Sequence, residues 1–103
     1  AQRQAVQHRI ARMKRRLETA RLLVYRAAWL LDQGERATGE AALAKWHLAE
    51  AATQSALDAL QLRGASGYRT SSGMPDAVAD AIGGTIHSGT EDVLATIVAR
   101  CLV

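Results

Sequence analysis

Phenylalanine is missing from this 103-residue sequence, and the whole chain carries two Trp, two Tyr, one Pro and one Cys. A single cysteine excludes an intramolecular disulfide and any cysteine-built metal site within the chain. Cys101 reads instead as a small apolar core residue. Strand-like alternation is absent, and so are internal repeats and low-complexity tracts. No apolar run is long enough to cross a membrane and no secretory leader is visible, so a soluble, reducing compartment is expected. With aromatics this scarce, a core drawn from a chain that is 49% hydrophobic must be built from Ala, Leu, Val and Ile. Alanine is the strongest helix former, so an Ala-rich core implies closely packed helices. The length bounds the chain to one domain at most, with a modest core.

Charge is unevenly placed. Residues 1–36 hold nine Lys/Arg against three Asp/Glu, a balance of +6, whereas residues 37–103 hold four against seven, a balance of −3. Arg12, Lys14, Arg15 and Arg16 form a basic run. No aromatic interleaving and no nucleic-acid-binding motif accompany it, so the run reads as a solvated helix face and no nucleic-acid partner is expected.

The spacing predicts an all-α antiparallel up-and-down bundle with two long and two shorter helices. Val6, Ile10, Met13, Leu17, Ala20, Val24, Ala27 and Leu31 alternate by four and three residues, a heptad-like seam on one helix from about Arg3 to Gln33. Gly34 is its natural stop. A second helix runs from about Glu40 to Arg63. Ala41, Ala44, Leu48, Ala51 and Ser55 lie on one side, and Leu43, Trp46, Leu57 and Leu60 lie around the others. A helix apolar on several faces is central or shared with another subunit. Lys45, Glu50 and Asp58 on it must find water or partners. His47 has no second His at i+4 and reads as a packed or surface residue, not a metal ligand. Gly64 to Tyr68 break this helix, and Arg69 to Met74 form a polar loop. Pro75 then opens a short helix, Asp76 to Ile82, that ends at Gly83-Gly84.

The stretch Thr85-Ile86-His87-Ser88-Gly89-Thr90-Glu91-Asp92 feeds the last helical pattern, Val93 to Val103. Thr90 is a natural N-cap, Glu91 and Asp92 place negative charge at the positive end of the helix dipole, and Gly89 supplies backbone freedom. Ile86 to Val93 also resembles the Ile-Tyr-Glu-Gly-Thr-(Ser/Asn)-Glu-Ile signature of the acyl-CoA dehydrogenases. Gln4 to Met13 resembles that family's Gln-x-Val-x-x-x-Leu-Ala-x-Met. Ala20 to Leu30 is similar to a well-populated family segment. Leu60-Gln61-Leu62-Arg63-Gly64-Ala65-Ser66-Gly67-Tyr68 resembles Leu-Gln-x-x-Gly-Gly-x-Gly-Tyr. Four such stretches, in order, cover nearly the whole chain.

The resemblance implies the last part of a C-terminal helical domain, residues 1–103, with the rest of the enzyme before Ala1. It implies FAD as cofactor, an acyl thioester of coenzyme A or a carrier protein as substrate, and a dimer or tetramer in the cytoplasm, or in the mitochondrial matrix of a eukaryote. Gln61, Gly64 and Ala65 match a loop that reaches a neighbouring subunit's FAD. Thr90 and Asp92 match residues on its adenosine part, and His87, Ser88 and Gly89 match positions beside the substrate. The sequence also departs from the pattern. Ser88 stands where many members carry the Glu that takes the α-proton, and an unassisted hydroxyl is too weak a base to replace it. The backbone N–H at Ser88 still matches the family's thioester-polarising group. His87 replaces Tyr, Ala65 replaces the second Gly, and Ala79 precedes Asp80 where the family has Arg. No catalytic residue is therefore assigned within the chain. Alongside the dehydrogenase reading stands a helical assembly module derived from the same family and without chemistry.

Overall fold

Four α-helices are present among the described residues. They are α1 (Gln2–Asp32), α2 (Thr38–Tyr68), α3 (Met74–Gly83) and α4 (Glu91–Leu102), with a single 3₁₀ turn at Thr70–Ser72 between α2 and α3. The computed structural model describes residues 2–87 and 89–102, and among these there is no strand. The expected all-α bundle of two long and two shorter helices is what forms. Gly34, at φ 77°, ends α1 where the sequence places the stop. Pro75 lies in the first turn of α3, where its missing N–H costs nothing.

The central position of α2 follows from its all-round small apolar surface. Helices α1, α3 and α4 all pack on α2, and among the described residues none of the three packs on another. Gly39, Ala42, Ala44 and Ala51 of α2 are buried. At Gly39 the approach is close: a Cβ would stand 3.1 Å from both Cβ and Sγ of Cys101 on α4. The buried apolar set is Ala20, Ala27, Leu30, Ala37, Ala42, Ala44, Ala51 and Leu94. Alanine thus dominates, as the scarce aromatics require, while no Val or Ile among the described residues joins it.

The heptad seam needs correction. Ala20 and Ala27 are buried, but Val6, Ile10, Leu17, Val24 and Leu31 are exposed, and Leu30 takes the buried place expected of Leu31. Arg9, Met13, Arg16, Ala20, Leu23, Ala27 and Leu30, again spaced by four and three, are half-buried or buried, so the contact stripe keeps Met13, Ala20 and Ala27 and takes Arg9, Arg16, Leu23 and Leu30 one residue before Ile10, Leu17, Val24 and Leu31. The seam still points at α2. Ile10, Met13, Leu17 and Ala20 face Leu48, Ala51 and Ser55 across an open apolar groove of about 540 Å³. On α2, Ala41, grouped with Ala44 and Ala51 on one apolar side, is exposed, and Ala42 is buried. Cys101 is exposed and not a core residue. The radius of gyration is 16.2 Å, against about 13 Å for a closed 100-residue domain. That excess reflects the elongated pair of long helices and their open groove.

The far end of the α1–α2 pair is joined by ions. Arg9 Nη1 donates to Asp58 Oδ1 at 2.8 Å, and Arg16 Nη1 donates to Asp58 Oδ2. Arg16 therefore leaves the solvated face expected for it, with its side chain only 15% exposed. The Arg16 hydrogen bond, helped by that from Arg9, holds the Asp58 carboxyl below the usual carboxylate range against the opposing effect of burial.

Candidate functional site

The residues singled out in the sequence fall into two groups. The first lies on α2. Gly64 adopts φ 60° and ψ −142° inside the helix, so α2 is bent there and continues to Tyr68, past the expected end at Arg63. Positive φ at this point suits glycine alone. The bend brings the next turn close: a Cβ on Gly67 would stand 2.5 Å from Arg63 Cβ. Leu60, Gln61, Gly64, Ala65 and Tyr68 line one cavity of about 240 Å³ at the bend. Gln61, Gly64 and Ala65 are thus brought together, and a Cβ built on Gly64 would meet nothing within 4 Å.

The second group is the loop between α3 and α4. The carbonyl of Gly83 accepts hydrogen bonds from the N–H of Ile86 at 3.0 Å and of His87 at 2.9 Å. Thr85 Oγ1 donates to the Ile82 carbonyl at 2.6 Å. His87 turns its ring back onto α3, so that Nε2 would lie 3.3 Å from a Cβ on Gly83. Ser88 lies outside the described residues. Gly89 has φ 122°, and Thr90 precedes α4, its carbonyl accepting from the N–H of Leu94 at 3.0 Å. Glu91 and Asp92 sit in the first turn of α4, where their charge complements the helix dipole. His87, Thr90 and Asp92 are exposed.

The two groups are not brought together. The loop lies over a small recess of about 30 Å³ shared by Gly89, Thr85 and Leu94 with Trp46 and Glu50 of α2. Glu50 precedes Gln61 by eleven residues, roughly 16 Å along the axis at a 1.5 Å rise.

Of the α2 residues under the loop, Lys45 and Glu50 were legible as polar groups needing partners and Trp46 as an apolar position. Lys45 Nζ donates to the carbonyl of Gly84 and so ties the loop to α2. Trp46 Nε1 donates to Glu50 Oε1 at 3.1 Å. Of the two readings of His47, packed or surface, the packed one holds: its Nε2 is buried without a partner among the described residues. Groups of three or more His, Cys, Asp or Glu able to hold a metal are absent among the described residues, and no described helix is long and apolar enough to cross a membrane.

Residues 1–103 match, end to end, the family described as acyl-CoA dehydrogenase, C-terminal domain. The chain belongs to the acyl-CoA dehydrogenase family. Within that family it is 47% identical over 97 residues to the L-prolyl peptidyl-carrier-protein dehydrogenase of Pseudomonas fluorescens, covering 94% of this chain and 26% of that one. It is 37% identical to the mitochondrial short/branched chain specific acyl-CoA dehydrogenase of Bos taurus, over 96% of this chain and 23% of that one. Among solved structures, the FAD complex of PigA superposes with a TM-score of 0.91 at 41% identity, covering 96% of this chain and 26% of that one. The prolyl acyl carrier protein oxidase AnaB superposes with a TM-score of 0.91 at 34% identity, with the same coverage. The chain thus spans about a quarter of the length of the relatives it matches.

Proposed function

We propose that the chain is the C-terminal helical part of a flavin-dependent dehydrogenase of acyl thioesters, contributing FAD contacts and a surface for assembly into a dimer or tetramer. The observation that carries this reading is the likeness of the whole chain, at 41% identity and a TM-score of 0.91, to a protein solved with FAD. The residues present fit such a cofactor. At the bend, Gln61 offers an amide, Leu60 and Tyr68 an apolar wall, and the bare Gly64 leaves room beside the backbone. At the loop, the N-terminus of α4 presents free N–H groups suited to a diphosphate, with the Thr90 hydroxyl and Asp92 carboxylate alongside for a ribose. Their separation along α2 suits two cofactor molecules, the bend reaching that of a neighbouring subunit. Bound flavin would accept the β-hydrogen as hydride.

His87, Ser88 and Gly89 would lie beside the thioester. Relatives at 47% and 42% identity are named for prolyl groups on peptidyl carrier proteins, which favours a carrier-bound substrate over coenzyme A and a cytoplasmic enzyme. Ser88 is on this reading a spacer, and the base that takes the α-proton belongs to a segment outside this chain. The second reading, an assembly module without chemistry, draws on the same absent carboxylate.

The longer protein decides between them. Purified, it should show flavin absorbance that bleaches on rapid mixing with a prolyl carrier-protein thioester. A colourless protein that assembles normally would favour the module. Ser88→Ala should leave the bleaching rate within a few-fold, whereas loss of a true general base costs roughly 100- to 10,000-fold. A collapse of that rate, with FAD content unchanged, would give the hydroxyl a direct role.

A further inference from the structure

Glycine at position 83 has no backbone reason to be there. It is the last residue of α3 and does not adopt positive φ, so alanine would fit its conformation and favour the helix. What the missing side chain does is make room. A Cβ at 83 would lie 3.3 Å from Nε2 and 3.4 Å from Cδ2 of His87, tight enough that the imidazole would have to move. The backbone around it is already fixed. Gly83 O accepts from both Ile86 and His87, and Lys45 holds the Gly84 carbonyl from α2. The remaining freedom is the rotation of the His87 ring, and the bare Cα of Gly83 is the surface on which that ring rests. His87 is exposed, so a displaced ring can swing outward without unfolding the turn.

We propose that Gly83 is a positioning residue for His87, setting the imidazole against the end of α3 and thereby the shape of the surface that meets the acyl thioester. The role toward substrate rests on the reading of His87 given above. The role toward the ring does not, and the two can be tested separately in the full-length protein.

The first measurement is the ring-proton NMR signal of His87, identified by its loss in His87→Gln. Gly83→Ala should shift that signal while the melting temperature stays the same or rises. An unmoved signal would overturn the proposal whatever the activity. The second is a double-mutant cycle on KM for a carrier-bound thioester. Gly83→Ala and His87→Ala should each raise KM several-fold with kcat within about twofold, and the double variant should match His87→Ala alone, because neighbours acting through one contact are not additive. Additive effects, or a KM unchanged in Gly83→Ala, would overturn it. A protein without flavin would sink the dehydrogenase reading and leave the NMR result to decide the placement of the ring.

Discussion

At the end of the α1–α2 pair nearest the connection, Ala27, Leu30 and Ala37 bury one another at 8%, 8% and 4% exposure. At the far end, Val6, Ile10 and Leu17 remain 41%, 53% and 50% exposed, and the helices are held by Arg9 and Arg16 on the two oxygens of Asp58. One apolar spacing runs through both ends. It tells which face of α1 looks toward α2. It does not tell whether the gap between them is closed, because closure depends on how near two backbones come. Small residues bring them together at the first end. At the second, two long guanidinium side chains reach across a groove that larger apolar residues line without filling.

The largest effect should fall at the closed end. Leu30→Ala removes a buried side chain between small neighbours that cannot expand to refill the space, and should cost about 2–5 kcal/mol in urea unfolding of the 103-residue chain. Asp58→Ala comes next. It leaves two guanidiniums without their shared acceptor and should cost about 1.5–3 kcal/mol, toward the lower figure because Arg9 is partly solvated. This contribution also depends on pH, since the native Asp58 carboxyl sits below the ordinary range, chiefly through the Arg16 hydrogen bond. The stabilisation is complete at neutral pH. It fades as pH falls through the unfolded value near about 4 and is gone below the depressed native one. Asp58→Asn should therefore flatten the acid limb of the stability curve.

The smallest effect on stability belongs to Ile10→Ser with Leu17→Ser, within about 0.5 kcal/mol for each exposed position. The same pair should reduce self-association of the 103-residue chain in sedimentation velocity, because the groove exposes contiguous apolar surface. If these serines cost as much as Leu30→Ala, the far end is closed in solution and the contrast between the two ends disappears.

Helix number, order and most boundaries were legible because their signals are local: the stop at Gly34, the proline that opens α3, the glycines that end it. The register of α1 was legible only in part, since Met13, Ala20 and Ala27 lie on the contact stripe but Arg9 and Arg16, also on it, carry no apolar signal. Arg16 and Asp58 are 42 residues apart in sequence, so a basic run could be seen but not the acid that takes one member out of it. Lys45 was visible as a cation on an apolar helix. Its target, the Gly84 carbonyl, is a backbone atom and carries no residue signature. Of the candidate site, Gln61, Gly64 and Ala65 could be grouped because one short segment holds them all. The distance between that segment and the loop around Thr90 depends on where α4 crosses α2, which no motif encodes.

That crossing is fixed at two points. Near its C-terminal end α4 rests on Gly39 through Cys101, 3.1 Å from where a Cβ would stand, and near its N-terminal end the buried Leu94 shares a recess with Trp46, Ala49 and Glu50 of α2. A twelve-residue helix, roughly 18 Å long, is then a stiff beam on two supports. A shim under one support tilts the whole beam. A single methyl group at position 39 would accordingly act as a remote adjusting screw, changing the angle at which Thr90 and Asp92 are delivered while touching neither of them.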